Sequence, residues 1–584
     1  MWTYFCPYLL LSHVGVNCPG RKGAIMKNLS LWKKACAVLV LCAAAAIASP
    51  AQTFTTLDSF NGANGSQPRT PLVQATDGNF YGATVFGGAK NYGAIFDTTT
   101  ASGTLTALGS FDSTDGAYPY GGLVETANGN WYGTAATGGA NTYGTVFEIT
   151  PGGTLTALYN FCSQPDCTDG SNPYGGLIVA TTGDWYGTTG YGGANGDGTV
   201  FKITPGGTLA TLHSFTGTDG YFPFGGLIQA TNGDLYGTTE SGGANGYGTV
   251  FEITPGGTLT PLHSFDSTDG ASPYAGLVQA ANGDFYGTTE SGGANGSGTV
   301  FTITPGGTLT TLYNFCSQSG CSDGAAPFAG LIQATDGNFY GTTAEGGLTT
   351  AECDYGCGTI FEITATTGTL TTLYRFCPQG GDCTDGIYPY VALMQATNGN
   401  FYGLTALGGA TIRNGTIFSL STGLGPFVET LPTSGEEGAK IGILGQGFSS
   451  SSVVGFGGVQ ATTVVPSGTT LLIATVPAGA LTGAVTVTTG PTKLTSNQTF
   501  RVTPQLLGFM PPSGPVGTLV TITGVGLAQT LGVGFGDAIP ATNLKIVSDT
   551  EVTVKVPTGA KTGPVGVETK GGSAISSSTF TVTP

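Results

Sequence analysis

The stretch from Gly225 to Phe265, GGLIQATNGDLYGTTESGGANGYGTVFEITPGGTLTPLHSF, recurs in variant form from about residue 54 to about residue 420. Its period of about fifty residues falls where self-similarity signals a propeller or solenoid. Four short runs of strand character lie within it: GLIQA, DLYGTT, GTVFEIT and LTPLHSF, here called strands a, b, c and d. Strands a and b are joined by Thr231-Asn232-Gly233-Asp234, an Asn-Gly hairpin signal in which both central residues are expected at positive φ. Strands c and d are joined by Pro255-Gly256-Gly257, another tight turn. Four antiparallel strands per repeat make a propeller blade.

Counting marker residues predicts how the ring closes. Strand b carries Tyr81, Tyr132, Tyr186, Tyr236, Tyr286, Tyr340 and Tyr402, and strand c carries Phe96, Phe147, Phe201, Phe251, Phe301, Phe361 and Phe418. Strand d ends at Phe60, Phe111, Phe161, Phe215, Phe265, Phe315 and Phe376, so one d strand precedes the first a strand and none follows Phe418. The expectation is an all-β, seven-bladed propeller of four-stranded blades whose N-terminal strand completes the last blade and leaves no open edge. These aromatics are expected to fill the space between blades, each worth about 2–3 kcal/mol when buried.

Composition agrees with a turn-dense β protein: 101 glycines among 584 residues and 9% charged residues. Five of the 17 basic residues lie before residue 35 and no acidic residue precedes Asp58, so the chain beyond this leader carries 12 basic against 34 acidic residues, net −22. That surface disfavours nucleic acid, which needs clustered Lys and Arg. From Met26, Lys27, Lys33 and Lys34 form a positive region, Ala35–Ala48 an apolar run, and Ser49-Pro50-Ala51 a cleavage site before Gln52. This reads as an export signal too short to span a membrane. Residues 1–25 do not fit the design and read as upstream of the true start, and Leu41 before Cys42 argues against a lipoprotein signal. The product is expected outside the cytoplasm, in the periplasm, at the cell surface or secreted, with no integral membrane segment.

Eight cysteines beyond the leader fall in close pairs: Cys162 with Cys167, Cys316 with Cys321, Cys353 with Cys357, and Cys377 with Cys383. In an exported chain this arithmetic predicts disulfides. A zinc site fits less well, because the mature chain has only His213 and His263, at equivalent positions of two repeats.

The a-to-b and c-to-d turns are short, whereas the d-to-a and b-to-c loops are long and variable, and both long loop types emerge on one face of an up-and-down blade. Function is expected there. A Pro-aromatic pair enters strand a at Tyr120, Tyr174, Phe224, Tyr274, Phe328 and Tyr390, with Arg69 at the corresponding place in the first repeat. These could ring the channel mouth and stack on a sugar or peptide, although packing of loops on one another is the simpler reading. Acidic residues recur as Asp112 with Asp115, Asp266 with Asp269, and singly at Asp169, Asp219, Asp323 and Asp385. Their spacing suggests calcium only weakly, and side-chain to backbone turns explain them better. Glu240, Glu290 and Glu345 lie in successive b-to-c loops; a carboxylate pair could serve glycoside hydrolysis, but equivalent positions argue against the divergent environments catalysis needs. No catalytic residue is assigned.

Thr422–Gly425 reads as a linker, and two segments of about eighty residues follow. Leu431–Phe448 aligns without gaps to Met510–Leu527, Phe456 to Phe535, and Val476-Pro477 to Val556-Pro557. Short alternating strands with such turns indicate two small β-sandwiches. The PSG..G....I.G.G pattern, with the later VP..A.TG...V, resembles the IPT/TIG immunoglobulin-like domain over 426–504 and 505–584. Within an expected propeller domain of 52–421, the YGTT..GG....GTVF core resembles, over about 54–421, the GloVer repeat, the Gloeobacter and Verrucomicrobia type. The resemblance implies an exported bacterial surface-related protein of unassigned activity. The expected function is non-enzymatic binding or adhesion to a glycan or protein. A carbohydrate-active hydrolase or lyase using the loop-face carboxylates, or a purely structural envelope component, are the alternatives.

Overall fold

The computed structural model describes residues 52–99, 103–126, 128–180, 183–411, 413–536 and 539–584, and the expected export signal lies outside them. Among the described residues nearly every element is a strand, the exceptions being 3-10 turns at Pro165–Cys167 and Ser319–Cys321. None of the described helices is long and apolar enough to cross a membrane.

The repeats fold as antiparallel four-stranded sheets that resemble propeller blades. In the fourth repeat the order is Ile228–Gln229, Leu235–Thr239, Thr249–Ile253, Leu259–Ser264. The a-b-c-d order repeats along the chain; the first repeat adds a strand, Ser66–Pro68, beside its strand b. The last repeat supplies only Met394–Gln395, Phe401–Thr405 and Thr416–Ser421, and Thr53–Ser59 pairs antiparallel with Thr416–Ser421 as the fourth strand. Phe54 of that strand stacks on Tyr374 at 3.8 Å and on Phe418 at 5.2 Å, fixing it by burial as well as by ladder bonds.

Packing between sheets explains the marker residues. Each strand-c Phe meets the strand-d Phe of the preceding repeat edge to face, as in Phe215–Phe251 at 5.3 Å and Phe60–Phe96 at 5.0 Å. Strand-b Tyr residues lie on the first strand-b side chain of the next repeat: Tyr81 on Trp131 at 4.5 Å, Tyr236 on Phe285 at 4.1 Å, Tyr286 on Phe339 at 3.9 Å. Tyr402 of the last repeat lies on Phe80 of the first at 4.4 Å, and the Thr397 N–H donates to Gln74 Oε1 at 2.9 Å, so the two ends of the array touch. The glycine after each Tyr is a steric necessity: a Cβ on Gly237 would stand 2.6 Å from Phe251 Cζ and 2.9 Å from Leu227 Cδ2.

Two local details depart from the expected reading. Asn232 does not share the positive φ of Gly233 (+92°); instead its side chain accepts from the Asp234 N–H at 3.1 Å, so the Asx interaction holds the turn and only the glycine is left-handed. Strand d also carries a bulge in every repeat. In the third, Val200 pairs with His213 and Phe201 with Thr211, leaving Leu212 over. That extra residue lets Leu212 pack into the cluster shared with the next repeat, containing Phe215, Leu227 and Phe251. The next c-to-d turn fits over the bulge through glycine: a Cβ on Gly257, at φ +92°, would lie 2.7 Å from Leu212 O.

After the repeats come two sandwiches of identical strand order. In the first, one sheet runs Glu429–Leu431, Lys440–Leu444, Leu471–Thr475, Val464–Ser467 and the other Ser434–Gly435, Thr492–Val502, Gly483–Thr489, Val453–Phe456, Val459–Gln460. The second repeats this between Gln505 and Val582. Phe456–Phe500 at 5.1 Å and Phe535–Phe580 at 5.0 Å occupy matching places in the two cores. The first sandwich touches the repeats at a-to-b turns: Phe427 N–H donates to Thr397 O at 3.0 Å, and Gln446 Nε2 to Thr397 Oγ1 at 3.0 Å. Those turns lie at the sheet ends opposite the long loops.

Candidate binding face

The loop face is built from one strained turn repeated. The residue before each entering proline is left-handed in every repeat: Gln67 (φ 53°), Tyr118 (55°), Asn172 (55°), Phe222 (59°), Ser272 (55°), Ala326 (51°) and Tyr388 (57°). For residues other than glycine this conformation costs about 1–3 kcal/mol, so it persists only where surroundings hold it. Two backbone bonds do so. The Phe222 N–H donates to Asp197 O of the preceding b-to-c loop at 3.1 Å, and Phe222 O accepts from the Glu240 N–H at 3.0 Å. Ser272 repeats the pattern with Tyr247 O at 3.0 Å and the Glu290 N–H at 3.0 Å.

This turn brings the predicted aromatics together. Ring centroids run Tyr120–Tyr174 at 5.2 Å, Tyr174–Phe224 at 4.8 Å, Phe224–Tyr274 at 5.8 Å, Tyr274–Phe328 at 5.2 Å and Phe328–Tyr390 at 5.2 Å. The Arg69 guanidinium lies over the Tyr390 ring at 4.4 Å. All seven side chains are half-buried. They form one continuous collar of π faces with a single cation at its end. Immediately below, neighbouring a segments meet backbone to backbone: a Cβ on Gly276 would lie 2.6 Å from Gly226 O. Threonines of strand b tie these segments, Thr238 Oγ1 donating to Ala275 O at 2.8 Å and Thr288 Oγ1 to Ala329 O at 2.8 Å.

The three glutamates adjoin the collar but are not equivalent, which corrects the symmetry expectation. Glu240 and Glu290 follow the strand-b Thr-Thr directly, whereas in the sixth repeat Ala344 takes that place and donates to Ala326 O. Glu345 stands one residue later and exchanges backbone bonds with Ala325, as Ser241 does with Tyr221. Their environments diverge accordingly. Tyr274 Oη donates to Glu240 Oε1 at 3.0 Å, which partly offsets the upward push of burial on that carboxyl. Glu290 is pushed up to about 7 by burial and then by the charges of Glu240 and Glu345. Burial alone raises Glu345. Tyr274 is raised well above the usual phenol range by burial and then by Glu240.

The recurring loop aspartates have protein partners. Asp169 Oδ2 accepts from Tyr159 Oη at 2.7 Å and the Ser163 N–H at 2.9 Å; Asp323 repeats this with Tyr313 and Ser317. Asp219 and Asp269 pair with His213 at 2.9 Å and His263 at 2.7 Å. Asp112 Oδ1 accepts from the Thr114 N–H at 2.9 Å, and Asp266 does the same for Thr268. The predicted disulfides are present: Cys162–Cys167, Cys316–Cys321, Cys353–Cys357 and Cys377–Cys383.

Exposed aromatics on the same loops escaped the sequence reading. Tyr143, Tyr247 and Tyr355 are 45%, 45% and 78% exposed, and Tyr191 packs on Phe222 at 4.9 Å. Their common place, just before or within the b-to-c glycine run, was the available signal. The profile of the Gloeobacter/Verrucomicrobia repeat matches residues 45–168, 162–351 and 317–446. The chain belongs to the Gloeobacter/Verrucomicrobia repeat family. An IPT/TIG domain profile matches residues 504–583, and the preceding sandwich has the same strand order. No curated protein matches the sequence. Among solved structures, this repeat protein is similar to a fungal alcohol oxidase of the AA5 family in complex with copper, at 13% identity and TM-score 0.42, covering 91% of this chain and 99% of that one. It is also similar to an oligogalacturonate lyase from Vibrio parahaemolyticus, at 9% identity and TM-score 0.38, covering 63% and 96%.

Proposed function

We propose that the repeats close into a seven-bladed propeller, exported from the cell, whose long-loop face binds a glycan by stacking sugar rings on the aromatic collar. The continuous chain of half-buried rings from Tyr120 to Tyr390 is the observation that carries this reading. Apolar C–H faces of a pyranose match aromatic faces, while Arg69, Glu240, Glu290 and Glu345 supply hydrogen-bonding groups at the rim. The four disulfides are compatible with an extracellular or periplasmic site of action. The sandwiches, attached at the opposite end of the sheets, act as a spacer that leaves this face free. The test is a glycan array probed with residues 52–584: specific retention without product formation supports binding, and no retention of any glycan contradicts it.

A second reading, a hydrolase or lyase, is favoured by one observation. Glu290 and Glu240 sit in different environments, one poised near neutrality and the other hydrogen-bonded to Tyr274, as an acid and base pair requires. Turnover of a retained glycan, abolished by Glu290→Gln, would replace the first reading with the second.

A further inference from the structure

The sixth and seventh repeats bring two disulfides against each other. Cys377–Cys383 occupies the d-to-a loop, where Cys162–Cys167 and Cys316–Cys321 stand in other repeats, each beginning directly after a strand-d Phe. Cys353–Cys357 has no such counterpart: it belongs to the lengthened b-to-c loop of the sixth repeat. The Sγ atoms of Cys353, Cys357 and Cys383 lie within 4.8 Å of one another. Thr350 Oγ1 sits among them, 3.2 Å from Cys353 Sγ, 3.8 Å from Cys383 Sγ and 3.9 Å from Cys357 Sγ. Cys353 and Cys357 are 0% exposed. Cys377 and Cys383 are 2% and 4% exposed, and they line a pocket of about 220 Å³ together with Tyr374, Gln379, Asp382 and Asp385.

We propose that this cluster is a two-disulfide relay, in which a small dithiol entering the pocket exchanges with Cys377–Cys383 and passes the exchange on to the buried Cys353–Cys357. One thiolate of the reagent attacks Cys377 Sγ, forming a mixed disulfide and expelling Cys383 as thiolate. The attack is assigned to Cys377 because Asp385 Oδ2 accepts the Cys377 N–H at 2.9 Å, and a carboxylate beside Cys377 would make that sulfur the poorer leaving group. The Cys383 thiolate, which the Thr350 hydroxyl can stabilise by donating to it, attacks the nearer sulfur of Cys353–Cys357 and expels the other as thiolate. The second thiol of the reagent then displaces Cys377 from the mixed disulfide. The reagent leaves oxidised by two electrons, and the protein keeps one inter-loop disulfide, from Cys383 to Cys353 or Cys357, with two free thiols. A new covalent tie thus joins the long loops of adjacent repeats on the binding face. This inference is independent of which ligand that face takes.

The experiment treats the oxidised chain with one equivalent of dithiothreitol, traps thiols with N-ethylmaleimide and maps disulfides by mass spectrometry of peptides. The expected result is a peptide linking Cys383 to the Cys353/Cys357 loop, with Cys377 alkylated and Cys383 not. Cys162–Cys167 and Cys316–Cys321 serve as internal controls, since each can only open into two alkylated thiols. Joint alkylation of Cys377 and Cys383 with Cys353–Cys357 intact overturns the relay. So does resistance of all four cysteines while the two control loops are reduced.

Discussion

A methyl group placed on Gly237 would overlap the ring edge of Phe251 and the end of Leu227, both buried, with no flexible neighbour to yield. Gly237→Ala is therefore expected to cost about 1–3 kcal/mol, read as a lower urea midpoint at unchanged slope. The Tyr-Gly and Phe markers were legible because they recur, but the reason for the glycine was not: it depends on a ring reaching across from the adjacent strand. Glu290 was legible as a carboxylate near two others, and its distinct environment was not, because the one-residue shift of Glu345 and the Tyr274–Glu240 bond arise only in three dimensions. Its folded pKa near 7 exceeds the ordinary 4.5, so the folded state holds the proton more tightly than the unfolded chain. That contribution is complete below pH 4.5 and lost as pH rises through 7. Relative to wild type, Glu290→Gln should match at pH 4 and be more stable by about 1 kcal/mol at pH 8, after allowance for solvent screening of a half-exposed group. Thermal melts at the two pH values check this.

The strand Thr53–Ser59 is the element that completes the last sheet, since without it Thr416–Ser421 presents an open edge and Tyr374 and Phe418 lose the Phe54 ring. A chain beginning at Phe60 should lose cooperative melting and self-associate, as followed by light scattering on size exclusion; a monomer with an unchanged melt would contradict this. The offset of one strand was legible by counting strand-d phenylalanines. The bulge at Leu212 was not, because Leu209–Ser214 carries no glycine or proline and an extra residue leaves no mark on a short alternating run. The same holds for the left-handed residue before each proline, which a side-chain preference does not reveal: Gln, Tyr, Asn, Phe, Ser and Ala all occupy it.

In the whole molecule, sandwiches and long loops sit at opposite ends of the repeat sheets, and the two sandwiches meet through Thr482, whose N–H donates to Gln529 Oε1 at 2.7 Å. Glu437 of the first is pushed up to about 7 by burial and by Asp549 of the second. This raised value means the contact is firm at low pH and weakens as pH rises through 7. The sandwich melting transition should fall between pH 5 and pH 8 by about 1 kcal/mol of stability once exposure is discounted, and Glu437→Gln should flatten that dependence. The all-β class, the four-stranded repeat unit, the disulfide pairs and the neighbouring aromatics of the collar could all be read from the sequence because each is periodic or local. The relation of collar to carboxylates could not, since it is set by loops of different repeats. On the proposed function, the collar itself holds the glycan. The direct measurement compares wild type with Phe224→Ala/Tyr274→Ala/Phe328→Ala on one glycan array, at matched melting temperature. Retention of the bound glycan is expected to weaken by about tenfold for each lost ring. Undiminished retention by the triple variant would contradict it.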